Sequence, residues 1–280
     1  MEHGAKRDSP RSLLLAALLF LSVGVAAAEN IDPNHDNSKL AWAENLGWIN
    51  LQPAGPGGSG VQVSDTKLTG WAWSENAGWI SLSCSNTSSC GANGYEVSND
   101  GCGLLGGYAW SENAGWVNFA AGVTIDPVTG IFSGPAWSEN AGWIMFDPAG
   151  LNRVVTGWRR AVPAGAPKFN ALTKSGVSDL VLTWLSQSGA TWYDFIYGSL
   201  SSLRSSHGDF SVSTQPCIAN DTSLTSWSTT GNPAPGDGYW FLLRGGNCGG
   251  AGTYDDSVPP DQVESRDPEV AASPGHCSPP

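Results

Sequence analysis

Apolar and polar residues alternate over short stretches of this chain. Segments such as VQVSD from Val61, YEVSN from Tyr95 and VTID from Val123 place apolar residues at every second position. A period of two is typical of β-strands with one buried face, and each run is followed by the turn residues Asp, Asn, Pro or Gly. The pattern predicts a meander of β-hairpins, without helices, over the first half of the chain.

One step, W-x-E-N-x-G-W, occurs four times, and its first tryptophans are 31, 37 and 27 residues apart. Such a period indicates stacked supersecondary units. We interpret the step as a tight turn in which Gly supplies a positive φ and the two tryptophans pair across the hairpin, while Glu and Asn bond to backbone groups of the loop. The residues expected to be structural are Trp42, Glu44, Asn45, Gly47, Trp48, Trp73, Glu75, Asn76, Gly78, Trp79, Trp110, Glu112, Asn113, Gly115, Trp116, Trp137, Glu139, Asn140, Gly142 and Trp143.

A single hairpin cannot bury its own face, so the units must cover one another. The sequence leaves open whether they close into a barrel or form an open stack. The first unit has Ala43 and Leu46 in place of Ser and Ala and lacks a leading hairpin, which favours a capping role.

The WSENxGW steps, with V-x-I-D-x-x-T-G-x-F-x-G leading into them, resemble a repeat found in exported and surface proteins of bacteria. The resemblance covers roughly residues 30–158. It implies no enzymatic activity.

Further alternating runs follow a Pro/Gly/Ala-rich linker. Leu180, Leu182 and Trp184 share one strand face, residues 192–197 form an aromatic strand, and a third strand begins at Tyr239. Over roughly residues 165–275 the chain resembles a fibronectin type III or related immunoglobulin-like domain. The resemblance implies that Trp184 is the core tryptophan of the second strand and that the Tyr239 strand is the sixth.

The fold expected is therefore all-β: an antiparallel β-hairpin repeat domain followed by an immunoglobulin-like or fibronectin type III-like β-sandwich. The boundaries expected are a signal peptide at 1–28, four repeat units at 29–160, a linker at 161–168, and the sandwich with a Gly/Pro-rich tail at 169–280. The signal peptide is predicted from a basic start, an apolar run and small residues before Glu29. It indicates a secreted, extracellular or periplasmic protein without membrane insertion after cleavage.

Charge and cysteine content narrow the function classes. Removal of residues 1–28, which carry three basic and two acidic residues, changes the net charge from −12 to −13. A nucleic-acid partner is not expected for so acidic a chain. The six cysteines indicate disulfides in an exported protein. Cys84–Cys90 and Cys217–Cys248 are the pairs expected, and Cys102 and Cys277 are left either free or joining the domains or two chains.

The tryptophans allow two interpretations. They either fill the core and pair across hairpins, which is the interpretation we favour, or form an exposed strip that stacks on a polysaccharide. Trp71 is the better ligand candidate because it breaks the repeat, with Tyr108 and Pro135 at its equivalent positions. Trp71 and Tyr108 are therefore the candidate ligand-binding residues.

No catalytic site is expected. Four glutamates in identical turns do not form the pair of differentiated carboxyl groups that a glycosidase needs. No cofactor is expected, although a structural calcium ion is kept as an alternative because Asp32, Asp36, Asp126, Asp147, Asp255 and Asp256 supply oxygen ligands. The function expected is a non-catalytic structural, adhesive or interaction protein of the bacterial cell surface or extracellular space. A surface protein or a polysaccharide is the partner expected, and a carbohydrate-binding module using exposed repeat aromatics is the alternative.

Overall fold

The protein is described by a computed structural model that covers residues 29–54, 60–148, 153–175, 179–230, 232–256, 262 and 264–278. The signal peptide expected at 1–28 lies outside these residues. The described chain is all-β with antiparallel sheets, as predicted. The strands up to residue 148 are β1 (Glu29–Asn30), β2 (Leu40–Ala43), β3 (Gly47–Asn50), β4 (Gln62–Val63), β5 (Lys67–Thr69), β6 (Trp71–Ser74), β7 (Gly78–Ser81), β8 (Val97–Asn99), β9 (Leu105–Ser111), β10 (Gly115–Asn118), β11 (Thr124–Ile125), β12 (Phe132–Ser133), β13 (Pro135–Ser138) and β14 (Gly142–Met145). Two 3₁₀ turns, Cys84–Thr87 and Phe119–Ala121, are the helical elements described in this region.

Four hairpins, each built on one W-x-E-N-x-G-W step, close into an eight-stranded, barrel-like ring. The hairpins are β2–β3, β6–β7, β9–β10 and β13–β14, and each pairs with its neighbours. The ring is completed where β14 pairs with β2, with Ile144 opposite Ala43. The units therefore form a closed ring, which decides between the two arrangements that the sequence left open.

The inside of the ring is filled in three layers. Small residues lie at the turn end: Ala43, Ser74, Ser111 and Ser138. The middle layer pairs a small residue with a branched one across each hairpin: Ala41 with Ile49, Ala72 with Ile80, Ala109 with Val117, and Ala136 with Ile144. The third layer is larger: Leu51, Leu82, Phe119 and Phe146. The space remaining between the two apolar layers is about 20 Å³, so the interior is a packed core.

Side chains of the repeated step join neighbouring hairpins. The amide Nδ2 of Asn76 donates to the carbonyl oxygen of Leu46 at 3.1 Å, and that of Asn113 donates to Ala77 at 3.1 Å. The hydroxyl of Ser138 donates to the carbonyl oxygen of Ala114 at 2.6 Å. The same type of hydrogen bond is present where the fourth hairpin meets the first, because Asn45 Nδ2 donates to the Asn140 carbonyl oxygen at 3.3 Å.

The hairpins predicted to lead into the later units are present as β4–β5, β8–β9 and β11–β12. The first unit, however, is not a cap, because its hairpin pairs on both sides. Residues 153–158 replace its missing leading hairpin. There Val155 accepts a hydrogen bond from Asp32 and donates one to Ser38, and Ile31 bridges to Thr156. Residues at the end of the repeat region are thus hydrogen-bonded to residues at its start, before the first hairpin.

The remaining strands form two sheets, ordered β15-β16-β19 and β18-β17-β20-β21. Side chains from the two sheets meet in one apolar cluster, in which Trp184 lies 5.6 Å from Phe195 between ring centroids. These strands and the short helices near them are β15 (Phe169–Ser175), β16 (Asp179–Trp184), β17 (Trp192–Ser199), α1 (Leu200–Ser205), α2 (Phe210–Ser213), β18 (Ala219–Thr222), β19 (Ser226–Thr230), β20 (Tyr239–Asn247), β21 (Gly250–Ala251) and α3 (Asp267–Ala272). Within the residues covered, none of the helices is long and apolar enough to cross a membrane.

Three disulfides are present, and they correct one predicted pair. Cys84–Cys90 is confirmed, but Cys217 bonds to Cys277 and Cys248 bonds to Cys102. The prediction of Cys217–Cys248 was wrong: Cys217 pairs within the second half of the chain, but with Cys277, and Cys248 joins the repeat region instead. In the fold, the β20–β21 turn carrying Cys248 lies against the repeat region, whereas the C-terminal segment brings Cys277 beside Phe195 and Ala219.

The segment expected as a linker is held by hydrogen bonds. Asn247 Nδ2 donates to the carbonyl oxygen of Ala161 at 2.8 Å, and Gln187 Nε2 donates to Gly165 at 2.7 Å. On the repeat side, Asp65 accepts from the Trp158 indole at 2.8 Å and pairs with Arg160 at 2.9 Å. Together with Cys102–Cys248, these contacts fasten the ring to the C-terminal sheets.

We expect Ser138→Ala to lower the free energy of unfolding by about 1–2 kcal/mol. The change removes the buried hydroxyl donor, so the carbonyl oxygen of Ala114 loses its hydrogen bond from the neighbouring hairpin. Urea unfolding of the full-length protein measures this. Ser133→Ala is the matched control, since Ser133 is exposed on a neighbouring strand. Equal stability of the two variants would contradict the role assigned to the inter-hairpin hydrogen bond.

Candidate functional site

The eight tryptophans of the repeated step lie on the outside of the ring. We call them the tryptophan belt: Trp42, Trp48, Trp73, Trp79, Trp110, Trp116, Trp137 and Trp143. Seven of them are between 36% and 48% exposed, and Trp79 is partly buried. The interpretation that tryptophans fill the core was therefore wrong. Alanine, isoleucine and valine occupy the inward positions, and the period of two along a strand directs the tryptophans outward.

The cross-strand pairing of the tryptophans was predicted correctly. Within each hairpin the two rings meet edge to face or tilted, with centroids 4.7 to 4.9 Å apart. The turn between them has a three-residue loop closed by a glycine in the left-handed region, as at Gly78 with φ +70°. The paired rings shield the strand backbone on one side and are open to solvent on the other.

The glutamates of the step have no internal role among the described residues. Glu44, Glu75, Glu112 and Glu139 are all exposed and make no side-chain hydrogen bond or ion pair there. The prediction that Glu satisfies backbone groups of the loop was therefore wrong for Glu, whereas Asn does bond to backbone. Serine, asparagine and glycine explain the turn and the contacts between hairpins, and the tryptophans pair across each hairpin. The glutamate is the one repeated side chain of the step for which the described residues show no such contact.

Two grooves lie between neighbouring hairpins. The first groove, about 440 Å³, is lined by Trp42, Trp48, Asn50, Trp73 and Glu75 among others. The second groove, about 480 Å³, is lined by Trp73, Trp79, Trp110, Glu112 and Asn113 among others. No Lys, Arg or His lines either groove. Each groove thus combines aromatic faces, a free carboxylate and an amide, and it carries no positive charge.

The structure places both predicted ligand-binding residues beside the belt. Trp71 is partly buried, lines the second groove and contacts Trp79 at a centroid distance of 6.2 Å. Tyr108 is 48% exposed and contacts Trp116 at 6.2 Å. They occupy equivalent positions in successive hairpins and extend the belt by one row. Pro135 takes this position in the fourth hairpin and Leu40 in the first.

A buried charged cluster in the C-terminal region was missed at the sequence level. Asp194 is fully buried and accepts two hydrogen bonds from Arg244, at 2.7 and 2.8 Å. The Arg244 guanidinium lies 4.9 Å from the ring centre of Tyr254. Asp and Arg within otherwise apolar strands, WYDFIY and YWFLLR, were the available signal. Removal of either partner would leave an uncompensated charge buried in the sheet, which is strongly destabilising.

The cluster shifts the pKa of a nearby carboxyl group. Burial, and then the Asp194 carboxylate, raise the pKa of Asp221 above its ordinary value. Burial also raises the pKa of the Tyr254 hydroxyl. These shifts follow from desolvation of the charged forms within the cluster.

Three of the aspartates considered for calcium, Asp32, Asp36 and Asp126, accept hydrogen bonds from backbone groups of their own turns. The Asp126 carboxylate accepts hydrogen bonds from the backbone of Val128 and Thr129, which lowers the pKa of Asp126. Asp32 accepts from Asp36 and Ser38. In the part of the chain that the structure covers, no three His, Cys, Asp or Glu residues come close enough to hold a metal ion.

We compared the chain with models of protein families and with curated proteins. Neither comparison found a match.

We expect Asp221→Asn to stabilise the protein near neutral pH and to have little effect below the unfolded-state pKa of 3.8. A carboxyl group whose pKa is raised by folding contributes stability at low pH, and that contribution is lost as pH rises through the folded-state pKa. Urea unfolding midpoints at both pH values measure the difference.

Asp126→Asn is the control with the opposite sign, because folding lowers the pKa of Asp126. This variant should lose stability near neutral pH and lose less as the pH falls. If Asp221→Asn changed the unfolding midpoint by the same amount at both pH values, the ionised Asp221 carboxylate could not be the feature that destabilises the fold.

Proposed function

We propose that this chain is a non-catalytic, exported interaction protein whose tryptophan belt binds a carbohydrate. The observation that carries the proposal is that different residues of the repeated step build the ring and form its exposed surface. The inward residues, the serines and the asparagines build the ring, whereas seven of the eight belt tryptophans and all four glutamates are exposed to solvent. Contiguous exposed apolar side chains that are rimmed by polar residues mark interaction sites on protein surfaces.

The chemistry of the two grooves favours sugars as ligands. Tryptophan rings offer flat apolar faces that stack on the C–H faces of pyranose rings, and carboxylates and amides bond to hydroxyl groups. Glu75 with Trp73, and Glu112 with Trp110, provide both components in each groove. The filled interior of the ring leaves the outer surface as the place where a ligand binds.

The C-terminal region is proposed as a fibronectin type III-like β-sandwich that acts as a spacer or second interaction module. Its seven strands fall into sheets of three and four, with Trp184 buried in the second strand and Tyr239 at the start of the sixth. The two sheets share one apolar cluster. This arrangement supports the resemblance noted from the sequence.

Export is proposed from two features together. Residues 1–28 have the pattern of a signal peptide, and three disulfides are formed in the fold. Disulfides persist in oxidising compartments, so we assign the protein to the extracellular space, the cell surface or the periplasm.

A structural or adhesive role with a surface protein as partner is the second candidate. It is favoured by the disulfide Cys102–Cys248, which joins the repeat region to the C-terminal sheets and suits a rigid element that displays the belt. Tryptophan is also enriched at the centres of protein interfaces. The two candidates differ in what the belt binds.

Calorimetric titration with a panel of soluble polysaccharides tests the proposal. We expect one glycan class to bind wild type, and Trp73→Ala and Trp110→Ala each to weaken it by about tenfold, since the loss of an aromatic contact of about 1.4 kcal/mol corresponds to that factor. Circular dichroism and unfolding midpoints establish that each variant remains folded.

Tyr239→Ala is the matched control, because Tyr239, Trp73 and Trp110 are each 36% exposed and Tyr239 lies outside the ring. Absence of binding to every glycan, together with capture of a surface protein that depends on the belt, would replace the proposal by the second candidate.

A further inference from the structure

We infer that the ligand of the tryptophan belt is a polysaccharide that carries free amino groups, held by the unpaired glutamates of successive grooves. The inference rests on the proposed carbohydrate-binding function and specifies its substrate class.

The first argument is the placement of the glutamates. Glu75 lines the first groove beside Trp73, and Glu112 lines the second groove beside Trp110. Both carboxylates are exposed and have no hydrogen-bond or ion-pair partner among the described residues. Their neighbours Asn76 and Asn113 are engaged in the ring, so the free acidic groups are the ones presented to a ligand.

The second argument is charge complementarity. Neither groove contains a basic residue that would neutralise its glutamate, and the chain after residue 28 carries a net charge of −13, from −12 for the whole sequence less the +1 of residues 1–28. An ammonium group is attracted both by a carboxylate, through a charge-assisted hydrogen bond, and by the face of a tryptophan ring. An acidic polysaccharide would be repelled, whereas a neutral one would use the rings without needing the glutamate charge.

The third argument is repetition. The two grooves share Trp73 and follow one another around the ring, separated by two strands, which is roughly 10 Å. A polymer with amino groups at regular intervals reaches both grooves at once, and the second contact is then intramolecular. A single amine would gain nothing from the repeat.

The experiment compares two oligosaccharides of equal length, a β-1,4-glucosamine oligomer with free amines and its fully N-acetylated form. Both are titrated calorimetrically into the full-length protein below the pKa of the amines. We expect the free-amine oligomer to bind at least tenfold more tightly and its affinity to fall with added salt, because the interacting charges are exposed.

The double variant Glu75→Gln/Glu112→Gln should lose that preference, because a glutamine amide still bonds to hydroxyl groups but carries no charge to attract an ammonium group. The ratio of the two affinities, rather than either affinity alone, is the quantity compared with wild type. Asp147→Asn/Glu264→Gln removes the same charge from exposed positions outside the grooves and should leave the preference intact.

Two results would overturn the inference. Equal or tighter binding of the acetylated oligomer, unaffected by the glutamate changes but lost in Trp73→Ala, would leave carbohydrate binding standing and reject the amino-sugar class. If oligolysine bound more tightly than the free-amine oligosaccharide and depended on the same two glutamates, the amino groups recognised would be those of a peptide and not of a polysaccharide. If no oligosaccharide or polysaccharide binds, both the inference and the proposed function fail.

Discussion

The fold of the repeat region depends on the cross-strand pair that each hairpin places inside the ring. Alanine faces isoleucine or valine four times, as in Ala72 opposite Ile80, and these pairs set the width of the interior. A smaller residue at the turn end and a larger one at the other end complete each set of layers. A larger side chain in place of the alanines would not fit a ring whose interior has about 20 Å³ left unfilled.

The inward pairs also determine the surface. Because side chains alternate along a strand, filling the interior with alanine and isoleucine commits the intervening tryptophans to the outside. Serine and asparagine then join one hairpin to the next, which leaves the glutamates free at the edges of the grooves. One short motif therefore determines both the closed ring and the repeated acidic, aromatic surface on its outside. The proposed binding function rests on that outer surface.

The sequence predicts the local structure well and the long-range structure poorly. The four hairpins, their glycine turns, the leading hairpins and Cys84–Cys90 depend on neighbouring residues and were predicted correctly. The closure of the ring was left open because it depends on β14 meeting β2 and on residues 153–158 meeting the start of the chain. Cys102–Cys248 likewise joins residues 146 positions apart, for which spacing gives no signal. The alternation A-W-S also directs the tryptophans outward, but we expected them in the core because these glycine-rich strands contain few leucines or isoleucines to fill it.

Hydroxyl-radical footprinting of the full-length protein, with oxidation quantified by peptide mass spectrometry, tests the central claim most directly. The account predicts rapid oxidation of Trp48, Trp116 and Trp143, which are 43% to 48% exposed, and slow oxidation of Trp158 and Trp184, which are 2% and 4% exposed. Protection of the belt tryptophans to the same degree as Trp158 would contradict the outward belt, and with it the binding surface built on it.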